Sequence, residues 1–207
     1  MRRYVAVLML ALLALLALLA PLANAATFVS IGINLGAYPR LVAVPGLPVY
    51  YGPDVATNYF FYDGLFWAFD GNAWYDSPWY NGPWLVVQPA FVPAYVLRVP
   101  VAYYRRPPPY FVAWDHHAPP RWGEHWGPQW EQARPGWNQW NRQQNPPRAP
   151  LPSYQRPYAG ARYPHADGEQ RTLREEHYRY VPHEEVTRER WQAPSDHGRE
   201  AHAAGPH

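Results

Sequence analysis

The sequence predicts a mainly β fold. It is a small antiparallel, aromatic-rich meander with short helices, preceded by a signal-peptide helix and followed by a largely disordered Pro/Arg/His-rich tail. Three observations lead there. Between Tyr59 and Val87, four short aromatic and aliphatic runs are separated by Asp63-Gly64, Asp70-Gly71 and Asn81-Gly82. Such dipeptides adopt the positive φ of tight hairpins, and aromatic and β-branched residues suit a pleated sheet. The 26 prolines remove backbone donors and forbid long helices and central strands. Finally, the composition changes near Tyr104, from apolar and charge-poor to a mixture of Arg, His, Glu, Gln, Pro and Trp with few aliphatics.

Taken in order, the chain opens with Arg2 and Arg3, an apolar run from Tyr4 to Ala20, Pro21, and Ala23-Asn24-Ala25. This is the pattern of a secretory signal with a small-x-small cleavage site. Cleavage between Ala25 and Ala26 would place the mature protein in the periplasm or envelope. The alternative is an uncleaved inner-membrane anchor, because the run approaches the ~20 residues that span a bilayer. No later segment is apolar enough to span. The chain has no cysteine, which excludes a lipid-anchored cysteine, disulfides and a thiolate nucleophile.

In the mature part, Val29, Ile31, Ile33 and Leu35 alternate with polar or small residues, so Phe28 to Leu35 reads as a half-buried strand. Leu41 to Tyr51 is a second apolar stretch, interrupted by Pro45-Gly46 and Pro48, and reads as an edge or bent strand. Next comes the meander, Tyr59–Tyr62, Leu65–Phe69, Ala73–Tyr75 and Trp84–Val87, with an extra turn at Asp76-Ser77-Pro78. Pro93 opens a helical turn that Pro100 closes, and Pro107-Pro108-Pro109 reads as polyproline II. From Pro119 to Trp140, Trp122, Trp126 and Trp130 recur every four residues, which aligns side chains on one helix face. Gly127 and Pro128 interrupt that helix. These boundaries divide the mature chain into a small β domain (26–104), a Pro/Trp-rich strap with a short helix (105–145) and a tail (146–207) with one solvated helix near 169–180.

The block Val44 to Trp140 resembles a group of exported, Trp/Tyr/Pro-rich proteins of Gram-negative bacteria, some of whose relatives are named for YXWGXW or WXXGXW repeats. The resemblance rests on Val44–Tyr51, Asn58–Gly64, Trp79–Trp84, Tyr103–Pro108 and Arg121–Gly127. It implies an envelope protein and names no activity. The strict WXXGXW spacing is absent; Trp122 to Trp126 comes nearest.

Charge and motif narrow the functional classes. There is no lysine, and without the signal head the arginines equal the acidic residues in number. A near-neutral chain lacks the basic face that nucleic acid requires. No Gly-x-Ser-x-Gly elbow, His-Glu-x-x-His helix, P-loop or dinucleotide fingerprint is present. Asp54, Asp63, Asp70 and Asp76 are the only carboxylates before Asp115, and turns account for each. All nine histidines lie beyond Asp115, without the spacing of a closed metal site. The expectation is therefore a non-enzymatic envelope protein with a structural or interaction role, with no cofactor, and with peptidoglycan or an outer-membrane protein as partner. The alternative is an aromatic-lined module that binds a cell-wall glycan or a cationic small molecule. Its rings would be Trp67, Trp74, Tyr75, Trp79 and Trp84, unless these form the core of a sheet short of aliphatics. Trp122, Trp126 and Trp130 would dock a partner or pack back on the sheet.

Overall fold

The computed structural model describes residues 28–151, apart from 30, 34, 37 and 140, and residues 167–191, apart from 178. The segment expected to be a secretory signal, with Ala25 and Ala26, and the remainder of the tail lie outside the described residues.

The sheet follows from the turn chemistry. Strands β1 (Phe28–Val29), β2 (Val42–Ala43), β3 (Tyr50–Tyr51), β4 (Asn58–Tyr62), β5 (Leu65–Asp70), β6 (Ala73–Ser77) and β7 (Trp84–Val87) form one antiparallel sheet. The strand order is β1-β7-β6-β5-β4-β3-β2. Six strands thus form a meander, and β1 closes onto its far edge. Asp63 (φ 47°) and Gly64 (φ 87°) make the β4–β5 turn. The β5–β6 turn sits one residue later than expected. Asp70 is the last residue of its strand, opposite Ala73, and Gly71 (φ 54°) and Asn72 (φ 68°) carry the positive dihedrals.

Phe28 to Leu35 is not one strand. Only Phe28–Val29 pairs, against Leu85 and Trp84. Gly32 then takes φ 68°, and the following segment crosses a face of the sheet to reach the opposite edge. Its alternation is real but serves packing: Ile31, Ile33 and Leu35 lie half-buried against that face. The crossing is pinned where the Leu35 amide donates to Asn81 Oδ1 at 2.9 Å.

Both faces of the sheet are covered, and the strand period of two sorts the rings between them. Phe60, Tyr62, Leu65, Trp67, Phe69, Trp74 and Val87 face one core. Tyr59, Phe61, Phe66, Ala68 and Trp84 face the other. All five residues of β4 are consequently buried. The first core is completed by α1 (Ala94–Leu97) and by Phe111, Trp114, Trp122, Trp130 and Trp137. The second is covered by the 31–41 crossing, the Trp79-Tyr80 loop, Ala149 and Leu173.

The composition change at Tyr104 therefore does not mark the limit of the hydrophobic interior. Indole and phenyl rings supply apolar area that aliphatics would supply elsewhere. The strap forms two short helices, α2 (Trp122–Trp126) and α3 (Pro128–Ala133), broken at Gly127 (φ 84°). Proline at the first position of α3 costs little because its missing N–H would have no helical partner. Tail residues form α4 (Asp167–His177), close to the expected helix, and a further helix α5 over 185–191. Leu173 of α4 is buried on the second core, so α4 is not solvated on all sides.

Candidate functional site

The rings expected to form a stacking surface are mostly interior. Trp67 and Trp74 are 0% exposed, Trp84 3% and Trp79 4%; Tyr75 is half-buried. Of the two readings of these rings, stacking surface or core, their burial fits the core, because both sides of the sheet are covered. Of the docking stripe, Trp122 and Trp130 are buried and Trp126 half-buried. Trp122 stacks on Trp126 at 4.4 Å and 7°, and Trp126 meets Trp130 at 4.8 Å with the rings tilted by 57°. Spacing by four produced the stack within α2, and the Gly127 break redirects it into the core, where Trp130 meets Trp137 at 5.4 Å.

The polar chemistry gathers at the β4–β5 end of the sheet, around residues 179–191. Asp63 is buried and accepts from the amides of His183 (2.9 Å) and Glu184 (2.9 Å), from the Tyr180 hydroxyl (2.8 Å) and from the Thr187 hydroxyl. It thereby anchors the entry to α5 from a different part of the chain, supplying an acceptor to the two amides just ahead of the helix and to the Thr187 hydroxyl in its first turn. Burial pushes its pKa up, but the four donors together pull it down further, leaving it below the ordinary carboxylate value. Asp76 points to the first core opposite Trp67 and accepts from Arg190 on both oxygens, Nε to Oδ2 at 2.5 Å and Nη2 to Oδ1 at 2.8 Å. Here burial dominates and raises the carboxyl pKa, with Arg190 offsetting only part of the rise. Tyr180 and Trp191 flank these bonds, packing against the second and first cores respectively.

Residues 179–191 thus form a clasp across the end of the sheet. Gly64 marks the closest approach, since a Cβ there would overlap the Tyr180 ring at Cδ1. Gly64→Ala combines this clash with an unfavourable positive φ. It should detach the clasp while the sheet stays folded, seen as loss of amide exchange protection at His183 and Glu184 with protection in β5 retained. Retained protection in the clasp would refute the contact.

A cavity of about 270 Å³ lies beside the clasp, lined by Tyr62, Asp63, Tyr95, Pro146, Pro147, Ala149, His183 and Glu184. Burial raises the Glu184 pKa; the Tyr62 hydroxyl bonded to it and the Arg134 and Arg98 charges act the other way, while Asp63 adds to the rise. Glu184 Oε2 is buried without a hydrogen-bond partner. Behind the cavity the two arginines are held by carbonyls. Arg98 donates to Trp137 (2.5 Å), Gly136 (3.1 Å) and Gln139 (3.0 Å), and Arg134 donates to Ala90 (2.8 Å) and Val92 (2.6 Å).

A smaller cluster sits at the β5–β6 turn. The Tyr110 hydroxyl donates to Asn72 Oδ1 at 2.7 Å, and His125 Nε2 lies 2.8 Å from the same oxygen. The Tyr110 and His125 rings stack at 4.0 Å. Burial pushes Tyr110 up to about 12 and His125 down. Because Asn72 Oδ1 accepts only, His125 presents Nε2–H to it. Among the described residues no group of three or more His, Cys, Asp or Glu is placed to hold a metal ion.

Local reading found Asp63 and Asp76 only as turn residues. Asp63 does occupy a turn, but Asp76 lies within β6, two residues after Trp74 and on the same face. That placement, in a chain whose only fixed cations are arginines, is the signal that a buried Asp–Arg pair was needed. Glu184, Tyr95 and Arg190 carried no local signal.

No protein-family model, curated protein or solved structure matches the chain.

Proposed function

We propose that the chain is an exported, non-enzymatic component of the Gram-negative cell envelope that works as a structural or interaction module in the periplasm, akin to the Trp/Tyr/Pro-rich exported group it resembles. The observation that carries this reading is the clasp. A body that holds residues 179–191 through side-chain-specific bonds to Asp63 and Asp76 is organised around polypeptide contact. The carboxylates of the sheet half have structural partners: Asp63 and Asp76 hold the clasp, Asp54 pairs with exposed Arg40 at 2.9 Å, and Asp70 meets the Thr57 hydroxyl at 3.5 Å. Such occupied groups favour a binding role over acid–base chemistry. The aromatic core takes the stabilising place of disulfides, which this cysteine-free chain cannot form. Among the described residues no helix is long and apolar enough to cross a membrane.

Expression of the full chain with a C-terminal epitope tag tests this. The reading requires an N-terminus at Ala26, recovery with the periplasmic or envelope fraction, and a discrete cross-linked adduct to peptidoglycan or an outer-membrane protein in intact cells. A cytoplasmic product that keeps Met1, or an envelope product that forms no adduct, contradicts it. The cation-binding alternative keeps one supporting feature, the cavity beside Glu184.

A further inference from the structure

We propose that the cavity between Tyr62, Tyr95 and Glu184 is a binding site for a compact organic cation of the alkylammonium class. The inference stands apart from the envelope reading, because it concerns binding by the purified chain and not its location. Three features of the cavity point to this ligand. One wall is made by the Tyr62 and Tyr95 rings, packed on each other with centroids 5.7 Å apart, and another by the Pro146-Pro147-Ala149 segment. Rings and prolines suit a methylated ammonium, which is weakly hydrated and attracted to aromatic faces. The acidic side chains that line the cavity are Asp63 and Glu184, beside exposed His183. Asp63 is saturated by donors from the clasp, whereas Glu184 Oε2 is buried with no partner. Burial disfavours the charged form of that carboxyl, and a positive group that approaches Oε2 offsets the cost.

The two arginines nearby do not fill that role. Arg98 stacks its guanidinium 5.1 Å from the Tyr95 ring centroid and spends its donors on the carbonyls of Trp137, Gly136 and Gln139. Arg134 is committed to Ala90 and Val92. Both attract Glu184 through space and offset part of the effect of burial, but neither donates to Oε2.

The site also depends on the clasp. His183 and Glu184 supply one wall, and both are fixed by their amide bonds to Asp63. A ligand that contacts Glu184 therefore binds only the clasped form and stabilises it, and the coupling is reciprocal.

The test is a titration of the purified full chain with tetramethylammonium chloride, followed by amide chemical shifts. tert-Butanol serves as the neutral isostere, and sodium chloride holds ionic strength constant. The expected result is saturable binding with Kd near about 1 mM, with shifts at Tyr62, Tyr95, His183 and Glu184. Glu184→Gln should weaken it at least about tenfold, as should tert-butanol in place of the cation. Tetramethylammonium should also slow amide exchange in the clasp, and Gly64→Ala should lose binding together with the clasp. Absence of saturation up to roughly 50 mM, equal binding of tert-butanol, or unchanged affinity in Glu184→Gln would overturn the proposal. The isostere comparison on the unaltered chain decides the matter even if the Glu184 variant folds poorly.

Discussion

Trp122→Ala should destabilise the protein by about 3–5 kcal/mol, the range for removing a large buried aromatic side chain. The residue is 0% exposed and sits where strap and sheet meet. Its ring contacts Phe69 (5.3 Å), Trp74 (5.9 Å), Phe111 (5.4 Å) and Trp126 (4.4 Å). Its Nε1 donates to the Leu97 carbonyl at 3.1 Å, so truncation also leaves a buried acceptor without its donor. Small domains have only about 5–15 kcal/mol in total, so the variant should lose a large share of its stability. Val112→Ala, at an 84% exposed position in the same strap, should change stability by less than about 0.5 kcal/mol. Urea unfolding of both variants measures the difference. A Trp122→Ala loss below about 1 kcal/mol would mean that the strap is not part of the core.

Arg190→Ala should release the clasp. Removing one partner of a buried ion pair typically costs about 3–5 kcal/mol, because the other charge is left without compensation. Asp76 is 1% exposed and meets that condition. The cost has a ceiling, however. Once it exceeds the docking free energy of residues 179–191, the clasp detaches and water reaches Asp76. The expected outcome is therefore local: exposure of Trp191, loss of exchange protection at His183 and Glu184, and a sheet that still unfolds cooperatively. Asp76→Asn should do the same from the opposite side, since the Arg190 charge would lose its counter-ion. If Trp191 stays protected in both variants, the bidentate pair does not hold the clasp.

The β4–β5 and β5–β6 hairpins were legible because a turn is a local requirement; Asn81-Gly82 instead lies in a six-residue loop between β6 and β7, where only Gly82 takes positive φ. Asp63-Gly64 must supply two positive φ angles wherever the strands go, and it does. The one-residue offset at Gly71-Asn72 arises because both Asp70-Gly71 and Gly71-Asn72 offer residues that tolerate those angles. Alternation misled at Ile31 to Leu35, where a chain crossing a sheet face shows the same period as a strand within it. Burial of the strap was open in the sequence: scarcity of aliphatics beyond Tyr104 read as weak packing, although Phe111, Trp114, Trp122, Trp130 and Trp137 carry ample apolar area. The Trp122–Trp126–Trp130 spacing was read correctly as one face, and Gly127 as its weak point. The clasp was out of reach of local reasoning, because Asp63 and Thr187 lie 124 positions apart. The candidate cavity was illegible for the same reason, since its walls come from β4, α1, the 146–149 segment and the clasp.

The central claim is that tryptophan and tyrosine rings, not aliphatics alone, form the interior on both sides of one sheet. Hydrogen exchange at the indole N–H groups tests it most directly, because the chain has 11 tryptophans that report separately by nuclear magnetic resonance. Trp67, Trp74, Trp84 and Trp122 should exchange only through global unfolding, with a common rate that follows added denaturant. Exchange of any of these four at the rate of free indole, under conditions where the sheet amides remain protected, would contradict it.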